Sequence, residues 1–387
     1  MEFGFNSEEE MIVEEVRAFI EKEVTPELIE ESLDLGLIYG GHEGRKFVRK
    51  LAQRGWLTPD WPKQYGGLET SEMLTYRIRD ELAYAMAPTI FVGAHMAGPA
   101  ILKYGNEELK RQYLAAIAKG EIEFALGYTE PDAGSDLASL DIRAEEKEDC
   151  FLINGGKTFN THCHVADFHW LAARTDPDAR KHKGISLFIV DLRSPGVTIR
   201  PMTTMAGWRT NEVFYDDVRV PKKNLVGEKN QGFAYIMTAL DYERMAPPGA
   251  YRRLHEELID YAKQTIVGGR PLFENPLIRQ KLAEMEIQLE VCKLLYYRLP
   301  YMLDKGEVPN YQSSMEKLFV TEVMQRVAAM GMEILGLYGQ FERGADGAPL
   351  GGKVGLFYRW SVVETIYGGT SEIQRNIIAM RGLKLPH

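Results

Sequence analysis

The feature that most limits the possible folds is a change of period along the chain: two long stretches of helix-spaced sequence flank a shorter stretch built from β-type runs and turns. Over residues 1–121 the apolar positions recur at helical spacing. Ser7 and Glu10 make a capping box ahead of the stripe Ile12, Val13, Val16, Phe19 and Ile20, and Pro26 is expected to close that helix. Further helical patterns lie at 43–55, 70–87, 90–104 and 106–119. From 122 the texture changes to short runs, Phe151–Asn154, His169–Arg174, Ile185–Asp191, Val197–Pro201 and Glu212–Val220. Turn chemistry such as Asn154-Gly155-Gly156, Asp176-Pro177 and Pro195-Gly196 lies between them. Short strands at this spacing predict a compact antiparallel barrel or sandwich. After Pro221 the helical period returns, at 230–265, 276–304, 309–337 and 354–382, which predicts an up-and-down bundle. The expected architecture is mainly α with a central β domain: an N-terminal α-helical domain (1–121), an antiparallel β-barrel (122–229) and a C-terminal four-helix bundle (230–387).

Composition removes several function classes. Lys+Arg number 46 against 56 Asp+Glu, a formal charge of −10, and such a field repels phosphate backbones, so nucleic acid is not an expected partner. No apolar run approaches the ~18 residues a membrane helix needs, and the acidic start of the chain lacks the basic character of a targeting leader. A cytoplasmic protein without membrane insertion is expected. The three cysteines, Cys150, Cys163 and Cys292, have no CxxC spacing, so neither a disulfide framework nor a zinc ribbon is expected. His162 and His164 would share a face on a strand, but two ligands without a third do not support a metal site.

Gly127-Tyr128-Thr129-Glu130-Pro131-Asp132-Ala133-Gly134-Ser135-Asp136 lies where helices hand over to strands. Read alone, it is either an ordinary glycine-rich loop or a loop suited to a phosphate or a polar ring edge. This segment closely resembles the first signature of the acyl-CoA dehydrogenase family. Ile366-Tyr367-Gly368-Gly369-Thr370-Ser371-Glu372-Ile373-Gln374-Arg375-Asn376 resembles that family's C-terminal signature. Ile153–Thr161 is similar to its flavin-facing strand, and Asn211–Pro221 to the exit from its middle domain. The resemblance runs in register over essentially the whole chain.

The resemblance implies FAD as cofactor, an acyl-CoA thioester as substrate, α,β-dehydrogenation to the 2-enoyl-CoA, and transfer of electrons to an electron-transfer flavoprotein. It implies that Tyr128 and Thr129 bond the flavin pyrimidine edge, with Gly134 and Ser135 near the pyrophosphate. Thr161 would lie near flavin N5 and O4, with Phe159 on the ring face where many relatives carry Trp. Thr370 and Glu372 would meet the nucleotide end. A thioester α-proton is too weakly acidic for an unaided carboxylate, so the carbonyl oxygen must be held by donors that strengthen as enolate charge develops. The family uses a ribityl hydroxyl and one backbone N–H, which maps to Gly368.

Many family members carry the catalytic Glu where Gly368 stands, and a glycine cannot act as a base. A second branch carries the carboxylate on the first long helix of the C-terminal region. Leu240-Asp241-Tyr242-Glu243-Arg244 matches that branch, which makes Glu243 the expected base, with a pKa raised by burial, and Arg244 a substrate contact. The alternative for Glu243 is a solvated helix-face carboxylate. Pro247 and Pro248, which lack N–H groups, either kink that helix or mark the start of a new one. The Arg-x-x-Phe-Gly segment with which many relatives reach across a dimer to FAD is missing in register at 264–273, where Arg270 stands as the substitute, and Glu333 replaces a common Gln. The expected assembly is a homotetramer or a dimer-based hetero-oligomer. The alternative functions are a catalytically weak partner subunit and an O2-using acyl-CoA oxidase.

Overall fold

Residues 6–243 and 246–386 are described by the computed structural model, with backbone alone over 238–243. The main helices are α1 (Ser7–Glu23), α2 (Pro26–Asp34), α3 (His42–Gln53), α4 (Glu72–Tyr84), α5 (Gly98–Tyr104), α6 (Glu107–Leu109), α7 (Ala115–Ala118), α8 (Gly232–Glu243), α9 (Gly249–Gln264), α10 (Pro276–Asp304), α11 (Tyr311–Leu335), α12 (Lys353–Glu364) and α13 (Ser371–Ile377). Packing divides the chain into two units. One comprises Glu23–Ser71 and Pro88–Glu243; the other comprises Met1–Lys22, Glu72–Ala87 and Arg244–His387.

The first unit is built on one sheet of eight strands: β1 (Phe124–Gly127), β2 (Arg143–Glu146), β3 (Cys150–Lys157), β4 (Phe168–Arg174), β5 (Ile185–Asp191), β6 (Val197–Thr203), β7 (Arg209–Pro221) and β8 (Leu225–Val226). Their order is β6-β7-β3-β2-β4-β5-β8, with β1 pairing β4 off that path. The expected antiparallel barrel is therefore corrected to an open, mixed sheet. β6 and β8 end the order without pairing each other, and β1 and β2 run parallel to β4. Parallel partners cannot be joined by a hairpin, so this pairing leaves no local turn signal in the sequence.

Two details of this sheet position the site. The β3–β7 ladder shifts register between Ile153 and Gly155, and Gly155 adopts φ +135. Such a bulge re-aims the strand beyond it; Asn154 and Gly155 are both exposed, and Lys157 is turned inward. Strand β5 is buried from Ile185 through Val190, because α8 packs on β4 and β5 and removes the usual alternation. Gly232 begins α8 so close to β5 that a Cβ would lie 2.6 Å from the Ser186 carbonyl carbon. The sheet core includes Phe124, Phe151, Trp170 and Phe188, each completely or almost completely buried, and burying such a side chain contributes roughly 1.5–3 kcal/mol.

The second unit is helical. α4 packs against α9 and α10, and α11 packs against α9, α10, α12 and α13. Gly249 lets α9 start directly on α4, since a Cβ there would meet the Asp80 carbonyl oxygen at 2.3 Å. Asn275 caps α10 by accepting from Leu277 N (3.0 Å), with Pro276 at the first helical position.

Four sequence expectations change at helix boundaries. The cap of α1 is Asn6, whose Oδ1 accepts from Glu9 N (2.8 Å), and Ser7 is the first helical residue rather than the cap of a box with Glu10. Pro26 opens α2 rather than closing α1: Thr25 Oγ1 accepts from Leu28 N (3.3 Å), and the proline's missing donor costs nothing at that position. The pattern 230–265 is two helices, the second restarting at Gly249 after the proline pair. The pattern 354–382 is likewise divided, by a turn at 365–370. No described helix is long and apolar enough to cross a membrane.

Candidate active site

At the end of β1 the chain passes Tyr128 and Thr129 into a loop held from beneath by Lys157. The buried Lys157 Nζ donates to the Tyr128 carbonyl (2.8 Å) and to Glu130 Oε1 (2.8 Å). Burial lowers the Lys157 pKa to about 8, against the opposing pull of the Glu130 charge. The Glu130 carboxylate also accepts from Asp141 N (2.7 Å) and Ile142 N (3.1 Å). The Thr129 carbonyl accepts from Thr158 N (2.9 Å). With that carbonyl engaged internally, Thr129 presents a ligand with donor chemistry, an N–H and a hydroxyl.

Beyond Lys157 the backbone turns outward. Phe159 has φ +55 and is 63% exposed, a costly combination for a large aromatic residue. Its neighbour is rigid: Asn160 Nδ2 donates to Leu126 O (3.0 Å) and Thr158 O (3.2 Å), Asn160 N donates to Asn211 O (2.8 Å), and Asn211 Nδ2 donates to Asn160 O (2.8 Å). Thr161 Oγ1 lies 3.1 Å from Thr210 Oγ1. Tyr128, Thr129, Phe159 and Thr161 are thus gathered on one edge of the sheet. Gly134 and Ser135 lie on the exposed part of the loop, and a Cβ at Gly134 would meet nothing within 4 Å. Among the described residues, Asn160 Oδ1 and His162 Nε2 are buried without a hydrogen-bond partner.

His162 and His164 do not lie on a strand. Residues 161–165 are a turn in which His162 has φ +78 and is buried, while His164 Nδ1 lies 3.2 Å from Asn211 Nδ2. Burial keeps His162 neutral, with its pKa lowered to about 3.

In the helical unit, the turn between α12 and α13 carries Gly368 (φ +62) and Gly369 (φ +95). Gln374 Nε2 donates to the carbonyls of Gly368 (2.9 Å) and Gly369 (3.0 Å). The buried Lys317 Nζ donates to the carbonyls of Glu364 (2.8 Å) and Gly369 (3.1 Å). Thr370 caps α13 by accepting from Ile373 N (3.3 Å). Glu372 follows in the first turn, its pKa lowered by the backbone N–H at the helix start and by Thr370. Thr370 and Glu372 line an open cleft of about 640 Å³, together with Glu322, Gln325, Arg326 and Arg375. Gly368, Thr370 and Glu372 are therefore neighbours, as their spacing required.

The Glu243 side chain and all of Arg244 lie outside the described residues; the backbone of Glu243 is the last residue of α8. Arg270 is exposed on a hairpin of β9 (Ile266–Val267) and β10 (Arg270–Pro271), and Glu333 pairs with Lys281. Sequence reasoning quoted Lys157, Asn211 and Gln374 inside motifs without giving them a task, and overlooked Lys317. The available signal for Lys317 was a charge among the inward-facing positions of α11, beside Ser313, Val320 and Thr321.

Family profiles for the acyl-CoA dehydrogenase N-terminal, middle and C-terminal domains match residues 6–121, 125–218 and 230–383. The chain is 36% identical over 397 residues to the acyl-CoA dehydrogenase FadE26 of Mycobacterium tuberculosis, covering 100% of this chain and 99% of that one. Its structure is similar to the Tcur3481-Tcur3483 steroid ACAD (TM-score 0.93, 36% identity, 100% of both chains). It is also similar to the ChsE4-ChsE5 complex from Mycobacterium tuberculosis (TM-score 0.91, 35% identity, 100% of both chains). The sheet edge and the Gly-Gly turn are thus parts of an enzyme, and the chain belongs to the acyl-CoA dehydrogenase family of flavoprotein oxidoreductases.

Proposed function

We propose that the chain dehydrogenates an acyl-CoA thioester at its α,β bond to give the 2-enoyl-CoA, with Glu243 as the base and FAD as the cofactor. The observation that carries this reading is the turn at Gly368. Its own carbonyl and that of Gly369 are bonded by Gln374 and Lys317, while the residue itself offers an N–H and no carboxylate. That turn can hold a thioester oxygen but cannot remove a proton, so the base must come from elsewhere, and Glu243 matches the branch that carries it on α8.

The residues fit a flavin. The exposed Phe159 ring, the Thr129 donors and the orphaned Asn160 Oδ1 together suit a flat heterocycle with a polar edge. Tyr128, Thr129, Gly134, Ser135, Phe159 and Thr161 would hold it, with Thr370 and Glu372 at its nucleotide end. An ionised Glu372 suits hydroxyl or amine donors there rather than phosphate, whereas Arg326 and Arg375 bring positive charge to the same cleft. When bound, FAD supplies the acceptor for the hydride leaving the β-carbon. Glu243 removes the α-proton, and the Gly368 N–H holds the carbonyl oxygen as negative charge develops. Arg244 contacts the substrate.

We further read residues 1–121, 122–229 and 230–387 as the three domains, an electron-transfer flavoprotein as electron acceptor, and a ring-bearing or branched acyl group as substrate. The likeness to a steroid ACAD supports the last point. The three free, buried cysteines support a reducing, cytoplasmic setting. A two-component assembly is favoured over a homotetramer by the likeness to the Tcur3481-Tcur3483 and ChsE4-ChsE5 proteins, and it accommodates a second reading in which this chain is the catalytically weak partner.

The test is an anaerobic titration of the purified chain with straight, branched and cyclic acyl-CoA thioesters, following the visible flavin band. Bleaching by one class is expected and names the substrate. A protein that purifies colourless, or whose band never bleaches, favours the partner-subunit reading. Glu243→Gln should keep the colour and bind ligand yet lose at least ~10² in reductive rate; full activity would remove Glu243 from the mechanism.

A further inference from the structure

Phe159 combines a costly backbone conformation with an exposed ring. Leu37 (φ +58) and Met86 (φ +57) also adopt the left-handed region, but both bury their side chains. Phe159 (φ +55) is 63% exposed, so little burial offsets the cost. The sheet shows where the conformation arises. Lys157 of β3 pairs with Val213 of β7, and that register carried two residues on sets Phe159 opposite Asn211. The bond to the Asn211 carbonyl comes instead from Asn160 N (2.8 Å), so Phe159 is one residue too many at the end of the strand. An extra residue in the left-handed region is a bulge position that usually takes glycine. Glycine would fill it at lower cost; phenylalanine adds an outward ring.

Both peptides flanking the Phe159 Cα are tied down. The Thr158 carbonyl, whose peptide carries the Phe159 N–H, accepts from Asn160 Nδ2 (3.2 Å). The same Nδ2 donates to the Leu126 carbonyl of β1 (3.0 Å). The next peptide gives its Asn160 N–H to the Asn211 carbonyl, and its Phe159 oxygen accepts from Thr161 N (2.9 Å). Asn211 holds the peptide beyond, its Nδ2 donating to the Asn160 carbonyl (2.8 Å), while its Oδ1 accepts from Arg209 Nε (2.8 Å). Asn160 and Asn211 are both buried, so these amides serve the backbone rather than solvent. Because each peptide is planar, fixing the two that meet at Phe159 fixes its φ and ψ.

We propose that Asn160, backed by Asn211, is a positioning residue that imposes the left-handed conformation on Phe159 and so presents its ring as a platform for one face of the flavin. The inference rests on the proposed FAD reading and adds to it the residues that aim the ring. A residue in a sparsely populated backbone region persists only where its surroundings over-determine it, and such residues cluster at ligand sites.

The experiment places 4-fluorophenylalanine at position 159 alone and follows its 19F resonance before and after FAD is loaded. Stacking on the heterocycle is expected to move the resonance upfield in the otherwise unaltered protein. In Asn160→Leu the FAD-induced shift should fall to about one fifth or less, because an unheld residue leaves the left-handed region by about fivefold or more. Asn211→Leu removes only the second support and should give a smaller loss. If Asn160→Leu does not fold, Asn211→Leu decides alone. An FAD-induced shift unchanged in the folded variants overturns the positioning role, even where they melt at lower temperature, and leaves the FAD reading intact. FAD bound without any shift in the labelled protein removes Phe159 from the flavin face and overturns the proposal. A chain that takes up no FAD overturns that reading and the platform with it.

Discussion

Each of the two units holds a motif organised around a buried lysine that donates to backbone carbonyls, yet the two lysines sit in different electrostatic settings. In the sheet unit, Lys157 holds the Tyr128 carbonyl while contacting the Glu130 carboxylate at 2.8 Å, so its charge is met by an opposite charge that is itself engaged by two amides. In the helical unit, Lys317 donates to two neutral carbonyls and lies over the Tyr367 ring. A buried ion pair is a poor source of net stability but is expensive to break from one side, whereas loss of Lys317 strands two neutral carbonyls and removes a charge that acts on the buried Glu364 and Glu316. The first arrangement therefore ties the Tyr128–Glu130 loop to the stability of the fold. The second allows the Gly-Gly turn to be disturbed with less harm to the rest of its unit.

This contrast can be broken by matched substitutions. Lys157→Met strands Glu130 and should cost about 3–5 kcal/mol in chemical denaturation, with flavin content falling in parallel. Lys317→Met should cost only about 1–3 kcal/mol. Equal losses would show that the carboxylate partner is not what separates the two sites.

Buried carboxyls sharpen the comparison. Glu123, in the sheet unit, accepts from Gly93 N (2.5 Å) and Phe124 N (2.8 Å), with Tyr39 also bonded to it and Asp167 nearby. Burial raises its pKa from 4.5 to about 7, against the pull of those donors, and the Asp167 charge adds to the rise. The folded state then binds a proton more tightly than the unfolded state between these values, so its contribution to stability falls as pH rises across that window, by on the order of 3 kcal/mol. Glu123→Gln should flatten that part of the pH–stability profile; a profile identical to the parent's would show that Glu123 is charged throughout. Glu364, in the helical unit, is also shifted upward by burial, with Tyr367 and Lys317 opposing.

The smallest expected effect is at the α13 cap. Thr370→Ala removes the acceptor for Ile373 N and should cost about 1 kcal/mol by thermal unfolding. A loss several times larger would mean that the cap supports the whole Gly-Gly turn.

Much of the molecule could be read from residue types and spacing because those signals are local. The helix 276–304 and the break at Pro247-Pro248 depend on hydrogen bonds within a turn or two of the residues concerned. The replacement of a carboxylate by glycine at position 368 excludes that position as a base in any fold. The four motifs likewise carry the family's signatures in residue type and spacing alone. Pro26 was misread because a proline that ends one helix and one that starts the next look alike until Thr25 is seen to cap α2.

What the tertiary structure alone decided is a matter of long-range partners. β1 and β2 carry only four residues each and pair in parallel with β4, so neither a hairpin nor an alternating pattern announced the open sheet. Strand choice there is set by side-chain burial across distant segments rather than by intrinsic preference. The same holds for Lys157 and Lys317. Their carbonyl partners lie 29 positions away at Tyr128, and 47 and 52 positions away at Glu364 and Gly369. A lysine's sequence neighbourhood does not tell which distant oxygen will neutralise its burial. The sequence determined what each site residue could do chemically; folding determined which backbone groups were consumed internally and which N–H groups remained to be offered, because burial penalises a polar group without a partner and only three-dimensional packing supplies one.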